Sequence, residues 1–173
     1  MKALTLLSLL LPLAAHAAVA DSAPNGFTSK ITVTINASPS QVYGKLVHNI
    51  GDWWSPDHTF SHDSHNLSIE EKAMGCFCEK MPGGGGVRHL EIINFTPGKE
   101  IVMIGALGPM QALGANGSLT LDLSGQEHST KLDITYTVGG YKPGGFEQLG
   151  IVVDRVLTEQ FTRLKNYVET GKP

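Results

Sequence analysis

The C-terminal stretch of the chain is a long amphipathic helix, and what it needs beneath it sets the fold. Residues 146–170 repeat Leu149, Val153, Val156, Gln160, Leu164 and Tyr167 at helical spacing. Val152, Leu157, Phe161 and Val168 widen the stripe well beyond a narrow seam. Asp154, Arg155, Glu159, Arg163 and Lys165 mostly fall outside it. At about 1.5 Å per residue such a helix is roughly 35 Å long and can cross a whole sheet. It cannot cover so broad an apolar face by itself, so it must lie against strands.

Strand patterns fill the chain before it. Residues 30–35 alternate Ile31, Val33 and Ile35 against Thr32 and Thr34, which marks a half-buried strand. Ser38 then suits a helix N-cap, Pro39 the first helical position, and Gln41 the closing residue of a capping box. Val42, Leu46 and Val47 give that short helix one apolar stripe, and Gly51-Asp52 stops it or starts a second short turn. Residues 53–66 are polar, aromatic and rich in His, and are expected to form an ordered loop. Residues 67–80 suggest two short strands broken near Met74-Gly75. A turn is required at residues 82–86, a proline followed by four glycines. Strands are expected at 87–95, 100–106, 117–123 and 131–138, and a Gly/Pro break at 139–145 precedes the helix.

The expectation is an α+β fold. A curved antiparallel sheet of about six to seven strands wraps around the long C-terminal helix, with two short helices after the first strand. A space between helix and sheet would be a natural pocket for an apolar ligand.

The N-terminus points to export. Met1-Lys2 is a short positive start, residues 3–14 are largely apolar, and small residues follow at alternate positions through Ala15, Ala17, Ala18 and Ala20. That order reads as a cleavable signal peptide over residues 1–20, with cleavage after Ala17 or Ala20. Its apolar part is short for a span, which needs about 20 residues. Residues 21–27 read as a flexible lead-in and residues 28–170 as a single domain. A mature chain of about 155 residues suits one domain. The location expected is the periplasm or the exterior. The chain carries 13 Lys+Arg against 16 Asp+Glu, and no basic stripe, so neither nucleic acid nor an anionic membrane is an expected partner.

Few residues carry a chemical signal. Cys76 and Cys78 are the only cysteines. At i and i+2 of a straight strand they share a face with Cα atoms about 6.6 Å apart, near the outer limit for a disulfide. Small buried reduced thiols are the favoured reading, with a disulfide and a metal or redox pair as alternatives. His58, His62 and His65 cluster in the loop beside Asp57 and Asp63. His89 follows the glycine turn, and a tight hairpin would bring it near Cys78 or Glu79. A metal site through Cys76, Cys78, His89 and His58 is an alternative, but no metal-site spacing is matched and no cofactor is expected. Trp53 and Trp54 anchor the loop or wall a pocket mouth. Ligand-contact candidates are Trp53, Trp54, Phe60, Cys76, Cys78, His89, Met103, Tyr136, Phe146 and Val153. No Ser/His/Asp order, phosphate loop or dinucleotide fingerprint appears.

Five stretches resemble a known family: residues 31–39 (ITVTINASP), 53–59 (WWSPDHT), 75–79 (GCFCE), 107–109 (LGP) and 159–165 (EQFTRLK). Together with the element order they resemble the START-like helix-grip superfamily, SRPBCC, and its polyketide cyclase-like bacterial branch named after the activator of the heat-shock chaperone ATPase. The resemblance spans roughly residues 28–169 and implies the helix-grip fold. That superfamily holds lipid and sterol carriers, aromatase/cyclases and co-chaperones, so one fold serves many functions. Export argues against a cytosolic chaperone as partner. The function expected is binding of a small hydrophobic or aromatic molecule between sheet and helix, without catalysis. The alternatives are an enzyme on a hydrophobic substrate, with Glu79, His89 or His58 as acid or base, and the metal-binding protein.

Overall fold

The computed structural model describes residues 18–173. Of the expected signal peptide, residues 1–17 lie outside the described residues. The elements are β1 (Ala18–Ala23), β2 (Gly26–Ile35), α1 (Pro39–His48), α2 (Ile50–Trp53), β3 (Leu67–Ile69), β4 (Cys76–Lys80), β5 (Gly86–Thr96), β6 (Glu100–Gly105), β7 (Ala115–Gln126), β8 (Ser129–Gly140) and α3 (Glu147–Thr170). Short 3-10 turns sit at Pro56–His58, Ser64–Asn66 and Gly108–Leu113.

Alternation builds the sheet. In β2 the residues Phe27, Ser29, Ile31, Val33 and Ile35 face inward, and in β8 Thr130, Leu132, Ile134, Tyr136 and Val138 do the same. The strands form one curved, unclosed antiparallel sheet in the order β1-β2-β8-β7-β6-β5-β4-β3. Helices α1 and α2 carry the chain from β2, beside one edge, to β3 at the other. The start of α1 is fixed by its capping box: Gln41 N–H donates to Ser38 Oγ at 3.3 Å, and Ser38 N–H donates to Gln41 Oε1 at 3.1 Å.

The sheet has eight strands rather than six to seven because the expected lead-in is largely strand. Residues 21–23 belong to β1, which forms a hairpin with β2 through pairs such as Asp21↔Thr28 and Ala23↔Gly26. The sequence Ala-Val-Ala-Asp-Ser-Ala carries no strand signal of its own. The open edge of β2 supplies the hydrogen-bond partners that order it.

Helix α3 packs on the inner face through Leu157, Phe161 and Leu164, each almost wholly buried. Full burial of such a side chain contributes about 1.5–3 kcal/mol. Two contacts hold its N-terminal half to β2. Gly150 lies so close to Phe27 that an added Cβ would stand 3.0 Å from that ring. Asp154, expected on the outer face, is buried and accepts a 2.5 Å hydrogen bond from Ser29 Oγ. No helix among the described residues is long and apolar enough to cross a membrane.

Candidate functional site

The site begins with a register fault between β4 and β5. Phe77 pairs with Leu90, but the next residue, Cys78, pairs with Arg88. Strand β5 therefore carries one extra residue, His89. Regular alternation would send His89 outward, next to the inward-facing Leu90. The bulge turns it inward, and His89 and Leu90 are buried in succession. Bulges commonly re-aim a side chain in this way. Across the sheet Gly105 makes room: its φ is +136°, and a Cβ there would stand 2.9 Å from the His89 carbonyl oxygen.

Glu79 also faces inward from β4 and meets His89, with Nε2 to Oε2 at 3.0 Å. Both side chains are nearly inaccessible to solvent. Glu79 also accepts from the Phe60 N–H at 3.1 Å and the Ser61 N–H at 2.5 Å. Burial pushes the Glu79 carboxyl up, but hydrogen bonds from Ser61, Phe60 and His89 outweigh it and hold the group below its ordinary value. Burial pushes the His89 imidazole down, against the pull of Glu79. The pair is thus a carboxylate receiving the Nε2–H of a neutral imidazole. Nδ1 of His89 has no protein hydrogen-bond partner among the described residues.

Aromatic rings flank this imidazole. Phe60 stacks nearly parallel to it with centroids 6.0 Å apart, and Phe77 lies tilted at 5.0 Å. Phe77 in turn meets Trp54 edge to face at 5.4 Å. Trp54 Nε1–H donates to the His58 carbonyl, which folds the loop back on the ring.

Above these rings lies a partly open, mainly apolar cavity of about 380 Å³. Leu67, Phe77 and His89 form its sheet side, and Leu149, Val152, Val153, Val156 and Leu157 of α3 face them. Trp54 to Phe60 closes one flank and Leu107 to Met110 another. Asp57, His58 and Arg155 add polar groups at the rim, where His58 approaches Glu159 at 3.5 Å.

Of the residues singled out from the sequence, Trp54, Phe60, His58, His89 and Val153 meet at this cavity, with Glu79 directly behind His89. Trp53 is one layer deeper, packed on Trp54 and Phe161, and donates Nε1–H to the Lys45 carbonyl. Met103, Tyr136 and Phe146 lie in the core rather than on the wall. Tyr136 nevertheless shapes the wall. Its hydroxyl accepts from the Leu107 N–H at 3.0 Å and donates to the Gly105 carbonyl, which pins the Leu107–Met110 flank. Burial pushes that phenol up to about 12, so it stays protonated.

Cys76 and Cys78 point away from the cavity, opposite to Phe77 and Glu79, and the reduced pair expected from strand spacing is instead a disulfide. The 6.6 Å estimate assumed a straight strand. Opposite the β5 bulge the two Cα atoms are 5.3 Å apart, within reach of a bridge. The cysteines are therefore separated from His89 and bonded to each other. Among the described residues no group of three or more His, Cys, Asp or Glu side chains is placed to hold a metal ion.

Sequence reasoning missed Leu67, Phe77, the Leu107–Met110 flank and, on α3, Leu149, Val152, Val156 and Leu157 as cavity residues. Inward alternation of β4 offered a signal for Phe77. For the flank there was only its glycine and proline and the resemblance of residues 107–109, neither of which placed it at a cavity.

An unclosed antiparallel sheet gripping a long C-terminal helix, with an apolar cavity between them, defines a helix-grip protein. No family model and no curated protein sequence matches the chain. Solved structures do. CalU16 from Micromonospora echinospora is 14% identical with a TM-score of 0.62, over 92% of this chain and 86% of that one. The Aha1 dimer from Colwellia psychrerythraea is 17% identical with a TM-score of 0.62, over 84% and 98%. DynU16, from the dynemicin biosynthetic locus, is 19% identical with a TM-score of 0.60, over 84% of this chain and 48% of its own length. At these identities the likeness is one of fold.

Proposed function

We propose that the chain is an exported binding protein that holds a small apolar or aromatic molecule between α3 and the inner face of the sheet. One observation carries the reading. Leu149, Val152, Val153 and Val156, which belong to the apolar stripe of α3, are left wholly or partly uncovered by the core and line an open cavity. Val152 remains 46% exposed. Apolar surface left facing a preformed concavity is what a ligand of that character would cover. The Cys76–Cys78 bridge accords with an oxidising compartment outside the cytoplasm.

A thermal-shift panel of sterols, fatty acids and aromatic compounds tests the binding. A ligand at a hundred times its dissociation constant adds about 2.7 kcal/mol, a rise of several degrees for a domain of this size. Val153→Trp, which fills the cavity, should abolish the rise while the fold persists. If no compound moves the wild-type melt, the cavity is not a binding site of this kind.

The buried Glu79–His89 pair favours a second reading, an enzyme with His89 as base on an apolar substrate. Turnover lost in His89→Phe, with ligand binding retained, would establish it.

A further inference from the structure

We propose that the cavity selects aromatic molecules bearing a hydroxyl group, whose O–H donates to Nδ1 of His89. The inference rests on the cavity reading above and adds the chemistry of the occupant.

His89 is the polar side chain that the sheet presents to the cavity, and it is there only because β5 is bulged. Its tautomer is fixed from behind. Glu79 already accepts hydrogen bonds from the Phe60 and Ser61 N–H groups, and its carboxylate takes the Nε2–H of His89. With that proton committed, Nδ1 is an acceptor and not a donor. Burial, which lowers the imidazole, keeps it neutral and preserves that role. Among the described residues no protein group bonds Nδ1, so an occupant that covers it without offering a donor would leave an acceptor unpaired, whereas a hydroxyl would satisfy it.

The surroundings favour an aromatic carrier for that hydroxyl. Phe60 and Phe77 flank the imidazole at centroid distances of 6.0 and 5.0 Å, and Trp54 meets Phe77 at 5.4 Å. They offer faces and edges against which a planar ring can pack. A volume of about 380 Å³ is at the small end for ligand pockets and suits a molecule of one or two rings.

The experiment compares three probes of one shape on the wild-type protein: 2-naphthol, 2-methoxynaphthalene and naphthalene, by titration calorimetry at one pH. Sites built to bond a hydroxyl discriminate strongly against analogues that lack it. The expected result is naphthol bound about tenfold or more tightly than either analogue. His89→Phe should lose that preference while still binding naphthalene. Should that variant fail to fold, nitrogen NMR of the wild type gives the same answer. The His89 Nδ1 resonance should move upfield when naphthol binds and stay in place with the ether. Equal affinity for all three probes would overturn the inference and leave the cavity reading standing. No binding of any of them would also overturn it, and would count against the cavity reading only if the wider thermal-shift panel failed as well.

Discussion

His89 is held by two partners of different kinds, a carboxylate behind it and aromatic rings around it, and the balance sets how it responds to acid. In the unfolded chain a histidine takes up a proton below about pH 6.5. In the folded protein burial lowers that value, so between the two the unfolded state binds more protons. Stability therefore falls as pH drops through that window. Glu79 is also lowered, so its contribution is fully present above its unfolded value and is lost only as pH falls through the lower folded one. On acidification His89 acts first. The melting temperature should decline as pH falls below about 6.5, and His89→Gln, which can still donate to Glu79, should flatten that decline. An undiminished slope in the variant would show that the imidazole is not held neutral by its site.

At the level of elements, the grip depends on how closely α3 approaches β2. Gly150 permits the approach, and Phe27 beneath it is itself fixed between Tyr136 and Phe146 at 6.4 Å from each. Two effects compete on replacing this glycine. Alanine gains up to about 1 kcal/mol of helix propensity. A side chain forced against a ring that cannot yield costs about 1–3 kcal/mol. Gly150→Ala should therefore be close to neutral, whereas the bulkier, β-branched Gly150→Val should lose about 2 kcal/mol in urea unfolding. A Val variant as stable as wild type would mean that α3 is not seated at this point. The helix itself was legible, as were the capping box and the alternation of β2, β7 and β8, because each is written in local spacing. What was not legible depended on partners distant in sequence. Strand β1 exists through the edge of β2. The inward turn of His89 depends on counting residues in two strands at once. Asp154 reads as a solvent-facing charge until Ser29, 125 positions away, is brought to it. Periodicity also showed that Val153 and Val156 share a face, but not that the face borders a cavity.

For the whole molecule, β1 bears on where an exported chain would be cut. Both expected cleavage positions leave the domain, but they leave different sheets. A cut after Ala17 keeps all of β1. A cut after Ala20 removes the pairs Ala18↔Lys30 and Val19↔Ser29, takes away Val19, which packs against the core, and bares that part of the β2 edge. The proposed export therefore predicts a mature protein starting at Ala18. The same mass spectrum reads the cysteines, since the Cys76–Cys78 bridge lowers the mass by about two daltons and leaves no thiol to alkylate. That bridge closes a ring of only three residues, so by loop entropy it stabilises the fold by only about 1.6 kcal/mol. A reduced protein should still fold and melt slightly lower. Periplasmic material beginning at Asp21 with no loss of stability would contradict the role given to β1. An intact Met1 in a soluble cytosolic pool would contradict export itself.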